Sequence, residues 1–245
     1  FSRYVPELEK LGAKVLFCVQ NKLRDLFDSM PFNATLVEPD DTSLAPDFSL
    51  SLMSLPYALR NHHRAPLHQS SVTKRPYKPL SSLKTLSENQ DKPLIGLCWR
   101  GNPSNRNDVN RSLSLERLLL LKKINVELVN LQIDLTEEEE AFLRTNNITN
   151  PHHELSTFAG TAAVCEQLDA VISVDTSICH LAGSLEIPTF LLLSKASDWR
   201  WGNASFRTPW YNKMKLFKRV TLGEWGEPLE AMIREIENDV ITQRN

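Results

Sequence analysis

The sequence lacks the features that mark membrane and nucleic-acid-binding proteins. No apolar run reaches the roughly 18 to 20 residues that a membrane-spanning helix needs. Lysine and arginine total 28 against 30 aspartates and glutamates, so the formal net charge is -2. A protein whose main partner is a nucleic-acid backbone normally has a basic excess. We therefore expect no transmembrane segment and no nucleic-acid partner.

Closely spaced cysteine pairs are also missing. The four cysteines, Cys18, Cys98, Cys165 and Cys179, stand in apolar runs without the C-x-x-C spacing of metal sites and redox motifs. Because cysteine packs as a small hydrophobe, buried free thiols are the favoured interpretation. Free thiols suit a reducing compartment, so we expect a cytoplasmic protein with no metal.

The start of the chain lacks both a methionine and a signal segment. It reads Phe-Ser-Arg-Tyr, and no charged-then-apolar stretch follows. We expect a fragment or a processed chain.

The composition is that of an ordinary globular protein, with 41% hydrophobic and 24% charged residues. A length of 245 residues suits two small domains better than one. Residues 62–92 lose periodicity and gather Ser, Pro, Lys and His, which is typical of a long connection. We place the boundary near residue 88, which predicts domains at 1–88 and 89–245.

Strand and helix patterns alternate on both sides of this connection. In the first part, strands are predicted at 13–20, 34–38 and 48–55, and helices at 5–11 and 21–29. In the second part, strands are predicted at 94–99, 126–132, 170–174 and 189–193, and helices at 114–123, 136–145, 157–168, 176–185 and 223–241. Such alternation is typical of an α/β fold with parallel sheets, and the nearly continuous apolar strands fit a sheet covered on both faces.

One predicted strand ends in a polar turn that can hold an anion. Asp175, Thr176 and Ser177 follow this strand and are of the types that cap a helix. Exposed amides and the helix dipole favour an anion there, and the two hydroxyls can donate to phosphate oxygens. A simple cap and a diphosphate seat both stay open. His180, one turn into the helix, can donate to a phosphate or sugar hydroxyl, or can simply pack.

A second strand exit is rich in donors. In residues 101–112, Arg106 and Arg111 carry forked donors suited to phosphate, and Asn102 or Asn107 can bond a ribose, base or sugar. The alternative is a solvated loop.

The loop at 194–211 is rich in aromatic residues. They can stack against a base or sugar ring, or pack the loop onto its domain, and a carboxylate and a guanidinium between them can bind hydroxyls or charge. The residues concerned are Trp199, Trp201, Trp210, Tyr211, Asp198 and Arg200.

Taken in order, these segments resemble a known family. GLCWRGNPSNRNDVNRS, then FAGTAAVCEQLDAVISVDTSICHLAGSLEIPTFLLL, then SDWRWG, TPWY and KLFKR are similar to the glycosyltransferase region that follows tetratricopeptide repeats in many bacterial proteins. That region is related to glycosyltransferase family 9, the heptosyltransferase-like enzymes, and more distantly to protein O-GlcNAc transferases. The likeness covers about residues 94–220, and the opening FSRYVPELEKLGAKVLFCVQ resembles the first helix and second strand of the family.

The resemblance implies a GT-B fold, in which two Rossmann-like domains face each other across a cleft and the C-terminal one holds a nucleotide-sugar donor. Relatives usually carry a strand and a glycine-rich turn before the position of Phe1, so the N-terminal domain is expected to be truncated. A sheet without its first strand exposes an edge through which the chain can form an oligomer. The residues expected at the donor are Asp175, Thr176, Ser177, His180, Arg106, Asn107, Arg111, Asn102 and Trp199.

The implied activity is inverting transfer of a sugar from a UDP-, GDP- or ADP-sugar to an unknown saccharide or protein acceptor. Such enzymes generally need no metal, because helix amides and basic side chains neutralise the leaving diphosphate. The catalytic base stays unassigned, because His62, His63 and His68 lie in a polar connection of the kind that is usually solvated, and Gly160 stands where many relatives have an acidic residue. A non-catalytic nucleotide-sugar-binding or scaffold module, and an epimerase-like GT-B enzyme, are the alternatives.

Overall fold

The first part of the chain forms a small parallel sheet flanked by short helices. The computed structural model describes residues 1–28, 30, 33–39, 41, 43–60, 91–202, 206–221 and 224–242. Strand β1 (Leu16–Cys18) pairs in parallel with β2 (Thr35–Val37). The helices are α1 (Val5–Lys10), α2 (Arg24–Asp28) and α3 (Leu55–Ala58), with 3-10 turns at Ser2–Tyr4, Asn21–Leu23 and Leu52–Ser54. The predicted boundary near residue 88 and the histidines of the connection lie outside the described residues.

The strand predicted at 48–55 is wrong. The second half of this segment instead forms the 3-10 turn and the start of α3, and Phe48 at its beginning is 94% exposed. The apolar residues that matter are Leu52 and Leu55, which pack with Tyr4 at the helical spacing of three. Pro56 lies in the first turn of α3, where its missing N–H costs nothing. Helical packing and the proline therefore outweigh the apolar run.

The prediction of four buried thiols is wrong at Cys18, which is exposed, whereas the other three cysteines are buried. In β1 the side chains alternate, and Phe17 faces a cluster that includes Val5 and Val19. Cys18 therefore points to the opposite face of the small sheet.

The second part of the chain forms a six-stranded sheet. Its strands are β3 (Leu94–Cys98), β4 (Glu127–Asn130), β5 (Ala170–Val174), β6 (Thr189–Leu193), β7 (Arg207–Thr208) and β8 (Tyr211–Lys218). Their order is β4-β3-β5-β6-β8-β7, and all neighbours are parallel except the antiparallel pair β7 and β8. The predicted α/β class with a mostly parallel sheet is confirmed. Strand β7 lies within the segment 194–211 that we predicted as a loop, and β8 begins at the last residue of that segment.

Helices cover both faces of this sheet, as predicted. They are α4 (Asp108–Arg111), α5 (Leu115–Leu118), α6 (Glu137–Thr145), α7 (Phe158–Cys165), α8 (Ser177–Ser184) and α9 (Gly226–Ile236), with 3-10 turns at Leu119–Lys123, Glu154–Ser156 and Trp199–Trp201 and a π-helical turn at Glu237–Ile241. Along β3, Ile95 and Leu97 join the cluster that includes residues of α5 and α9, whereas Leu94 and Cys98 join the cluster of α7 and α8. Each large apolar side chain buried in this way contributes about 1.5–3 kcal/mol.

The first part of the chain packs directly on the second. Leu26 of α2 lies in one cluster with Ala162 of α7 and Leu181 of α8. Arg3 donates from Nη1 to the main-chain oxygen of Trp210 over 2.6 Å. Within the described ranges, no helix has the length and apolar character needed to cross a bilayer.

Candidate functional site

The three polar segments predicted from the sequence meet at one edge of the large sheet. They follow β3, β5 and β6, which are neighbours in the order β3-β5-β6 and run parallel. Their carboxyl ends therefore lie side by side, at the edge where open parallel sheets bind ligands.

The turn after β5 is held by the hydroxyl of Thr176. This residue caps α8, because its Oγ1 accepts from the main-chain N–H of Ile178 over 3.3 Å. The same oxygen lies 3.2 Å from Ser173 Oγ and 3.5 Å from Cys98 Sγ, so the protein already engages it. Ser177, the first residue of α8, is exposed. Thr176 therefore caps the helix, and Ser177 carries the adjacent hydroxyl that faces outward.

Arg111 ties the loop after β3 to this turn. Its Nη1 donates to the main-chain oxygen of Asp175 over 2.8 Å, and its Nε pairs with Asp108 Oδ1 over 2.9 Å. The other oxygen of Asp108 accepts from Ser112 Oγ over 2.8 Å. Gly101 makes room for this pair, because a Cβ there would collide with both the Arg111 guanidinium and the Asp108 carboxylate. The guanidinium is therefore fixed beside the N-terminus of α8.

The Asp175 carboxyl is half-buried between charges of both signs. Burial raises its pKa, and the Trp201 indole N–H and the charge of Arg111 oppose this increase. Trp201 is 2% exposed, and its Nε1 lies beside the carboxylate without closing a hydrogen bond of good geometry. The turn thus includes a buried donor that is not satisfied.

His180 is clamped by two aromatic residues. Its ring stacks on Trp201 at a centroid distance of 5.2 Å and an angle of 18°. Its Nδ1 lies 2.9 Å from the Tyr211 hydroxyl. Burial, reinforced by Arg200, lowers the pKa of His180 to about 4. The imidazole is therefore neutral near pH 7, and in the described part of the chain only Nδ1 has a hydrogen-bond partner.

Not every predicted donor reaches the turn. Asn102 Oδ1 accepts from the main-chain N–H of Ser104, and Asn107 Oδ1 accepts from Asn110 Nδ2, each over 2.9 Å. Both asparagines shape their own loop. Arg106 is exposed on the same loop. Of the residues proposed from this segment, the structure brings Arg111 to Asp175.

Trp199 lines a pocket of about 510 Å³ formed by the loop after β6 and the β7–β8 turn. It is 60% exposed, packs edge-on against Trp210 at 6.0 Å, and has the Arg200 guanidinium 4.9 Å from its ring centre. Asp198 accepts from Arg200 Nη1 over 2.7 Å. Trp199 therefore has an exposed ring surface, whereas Trp201 packs into the core.

Three side chains of metal-ligating type also meet in this region. One ligand atom each of Asp175, Cys179 and His180 lies within 4.8 Å of the others. However, the buried Cys179 thiol donates to the main-chain oxygen of Thr176 over 3.0 Å, and burial raises its pKa well above the usual value. A metal would have to displace both that proton and that hydrogen bond, so the group is not prepared for one.

The sequence pattern did not single out Arg219. It follows β8, is 3% exposed, and donates from Nη2 to the main-chain oxygen of Asn110, while its guanidinium lies 4.6 Å from the Trp225 ring centre. The available signal was the same as for the other loops, a charged residue directly after an apolar strand. That signal was missed because the lysines at 213, 215 and 218 interrupt the apolar pattern of β8.

The chain is similar to parts of longer proteins. No protein-family model matches it. Protein FlbA of Caulobacter vibrioides is 30% identical over 142 residues, which cover 54% of this chain and 23% of that protein. The chain thus spans less than a quarter of that relative.

Solved structures are also similar to it, and two of them are as follows. A glycosyl transferase family 9 protein from Veillonella parvula DSM 2008 aligns with a TM-score of 0.46 and 11% identity over 65% of this chain and 49% of its own. The E. coli ADP-heptose LPS heptosyltransferase II aligns with a TM-score of 0.42 and 14% identity over 84% of this chain and 56% of its own. Both solved structures are glycosyltransferases, and the chain spans about half of each.

Proposed function

We propose that this chain binds a nucleotide sugar, with the diphosphate at the N-terminus of α8, and that it is the donor-binding part of an inverting glycosyltransferase of GT-B type. The observation that supports this most is the contact between Arg111 and Asp175, because it joins two separately predicted phosphate-binding loops at one helix end. The hydroxyl of Ser177 is exposed at the same place.

The charges suit a leaving diphosphate. The helix end supplies partial positive charge, and Arg111 adds a fixed guanidinium whose Nη2 is not used in the contacts with Asp108 and Asp175. Such donors stabilise negative charge that develops on the leaving group without a metal ion.

The aromatic pocket suits the remainder of the donor. Trp199 offers an exposed ring face, and Arg200 is held beside it by Asp198. Indole faces stack on both nucleobases and sugar rings. We assign the sugar or base to this pocket, and the acceptor to the side formed by the first sixty residues.

Two further assignments belong to this proposal. We assign the small sheet β1–β2 to one lobe of a GT-B enzyme and the large sheet to the other. The catalytic base belongs to the acceptor side and is not among the residues assigned above. A cytoplasmic location is consistent with three buried free thiols. Association through an edge of the small sheet stays a prediction, which light scattering tests.

Calorimetry with UDP, GDP and ADP tests the binding. We expect at least one nucleotide to bind the wild type, and Ser177→Ala combined with His180→Ala to weaken that nucleotide by about 10-fold or more, because each substitution removes a donor to a charged oxygen. Thr136→Ala is the control, because Thr136 also carries a hydroxyl at a helix N-terminus, that of α6, but follows β4, two strands away from β5. It should leave affinity unchanged.

If none of the three nucleotides binds the wild type, the proposal is overturned. A product assay with the corresponding nucleotide sugars then separates the classes of activity. Sugar transfer or hydrolysis supports a glycosyltransferase, an epimerised donor indicates an epimerase, and binding without turnover indicates a binding module.

A further inference from the structure

We infer that Tyr211 is a positioning residue, which holds His180 in the tautomer with its proton on Nε2 and so turns the imidazole into a fixed neutral donor. The inference rests on the proposed function only for the identity of the ligand that Nε2 meets. The tautomer itself is a property of the free protein.

Tyr211 is the described partner of His180 Nδ1, at 2.9 Å. A phenol is a far better donor than acceptor, and a neutral imidazole always has one ring nitrogen that can only accept. The favourable arrangement is therefore the Tyr211 hydroxyl donating to Nδ1. The ring proton is then on Nε2, which has no hydrogen-bond partner in the described part of the chain.

Ser184 supports this direction. Its hydroxyl, on the last residue of α8, lies near the phenol oxygen of Tyr211 and lowers the pKa of that phenol, as a donor to the oxygen does. Although this contact lowers the pKa of Tyr211, the larger effect of burial raises that pKa to about 12, so the phenol keeps its proton. With the Ser184 hydroxyl directed at the phenol oxygen, the phenol proton is free to point at Nδ1, and polar groups arranged in such a row reinforce one another.

Gly183 makes this arrangement sterically feasible. A Cβ at Gly183 would lie 2.7 Å from two ring atoms of Tyr211, so any larger residue would push the ring away from α8. Trp201 fixes the imidazole by stacking on it. The ring of His180 is thus held by a stack and a hydrogen bond at once, and its remaining nitrogen has one orientation.

The charge state fits a donor of this kind. His180 lies in the first turn of α8, where the positive end of the helix dipole disfavours an imidazolium. A neutral Nε2–H can donate to a diphosphate oxygen without a change in protonation during binding or release.

The test is long-range ¹H–¹⁵N correlation spectroscopy of ¹⁵N-histidine-labelled protein without ligand at pH 7.5. The protein has six histidines, and the His180→Gln variant assigns the signal of interest. We expect the wild type to show Nε2 protonated and Nδ1 bare. Tyr211→Phe, which keeps the ring and removes the hydroxyl, should give a mixture of both tautomers, and Gly183→Ala should shift the signal in the same direction.

Tyr57→Phe is the matched control, because Tyr57 is 70% exposed on α3, and it should not change the spectrum. A wild-type spectrum with Nδ1 protonated would overturn the inference, as would a Tyr211→Phe spectrum identical to that of the wild type. The wild-type measurement can overturn the inference even if a variant fails to fold.

Nucleotide titration separates this inference from the proposed function. If ADP or another nucleotide binds, Tyr211→Phe should lower the affinity for that nucleotide by about 2- to 10-fold. If no nucleotide binds and the tautomer is as expected, the proposed function fails and the role of Tyr211 stands.

Discussion

Arg111 and Asp175 are joined by a hydrogen bond of 2.8 Å although they are 64 positions apart in the chain. The donor is Nη1 of Arg111, and the acceptor is the main-chain oxygen of Asp175. Since Arg111 also pairs with Asp108, the guanidinium connects the exits of two neighbouring strands. This double contact requires a planar side chain with donors in a fixed fork.

Replacement of Arg111 by lysine should therefore lower the stability of the protein, although the positive charge is retained. A single ammonium cannot reach Asp108 and the Asp175 oxygen in the same geometry, so we expect Arg111→Lys to lower the free energy of unfolding by about 1–3 kcal/mol. Urea denaturation measures this change. Arg106→Lys, in the same loop but exposed, is the control and should stay within about 0.5 kcal/mol of the wild type. Equal effects of the two substitutions would contradict a structural role for Arg111.

Gly101 should be as sensitive as the arginine itself. A Cβ at this position collides with the Arg111–Asp108 pair, so Gly101→Ala should cost about 1–3 kcal/mol and displace the guanidinium. Gly226→Ala is the control, because nothing lies within 4 Å of a Cβ at that position. The double variant Gly101→Ala with Arg111→Lys should cost less than the two single changes together, because both disturb one contact. Strict additivity would show that the glycine acts elsewhere.

The central strands could be predicted because burial on both faces leaves an unmistakable pattern. Leu94–Cys98, Ala170–Val174 and Thr189–Leu193 are buried at every residue, and each was predicted within one residue of its bounds. Strand β8 (Tyr211–Lys218) was missed, because its second and third residues are exposed and lysine and asparagine interrupt the apolar ones. The segment at 48–55 gave the opposite error. It was predicted as a strand because it is apolar, but its apolar residues pack one face of a 3-10 turn and a helix.

The contacts that shape the candidate site could be predicted only in part. Two polar strand exits suggested that residues near Arg111 and Asp175 meet, but the meeting depends on β3 and β5 being adjacent, which local patterns do not determine. The pairing of His180 with Tyr211 needed more, because it depends on the parallel pairing of β6 with β8 and on the missing side chain at Gly183. Such contacts follow from tertiary packing rather than from propensity.

Asp175 should limit the stability of the protein. Because burial raises the pKa of its carboxyl, the charged form is disfavoured in the folded state, and this cost grows as the pH rises through the folded pKa. Asp175→Asn should therefore raise the free energy of unfolding at pH 8. The gain should vanish below about pH 3.8, where the carboxyl is neutral in both states.

Urea denaturation across this pH range measures the effect of Asp175→Asn, with the exposed Asp47→Asn as its control. A gain that persists at pH 3 would mean that the amide makes new contacts rather than removing a desolvated charge.

His180 should destabilise the fold in acid. Its folded pKa is lowered to about 4, chiefly by burial, while its unfolded pKa is about 6.5. Between these values the unfolded chain binds the proton and the folded chain does not, so stability falls as the pH decreases from about 6.5 to about 4 and then levels off.

We expect the loss to reach about 2–3 kcal/mol relative to His180→Gln, whose side chain does not titrate. The charged and titratable groups around the imidazole include Arg200, Asp198, Arg3, Tyr211 and Asp175, and all of them are present in both proteins, so the difference isolates the imidazole. Chemical denaturation of both proteins at half-unit steps from pH 4 to 8 measures this difference, and parallel stability curves would show that His180 is protonated as readily in the folded protein as in the unfolded chain.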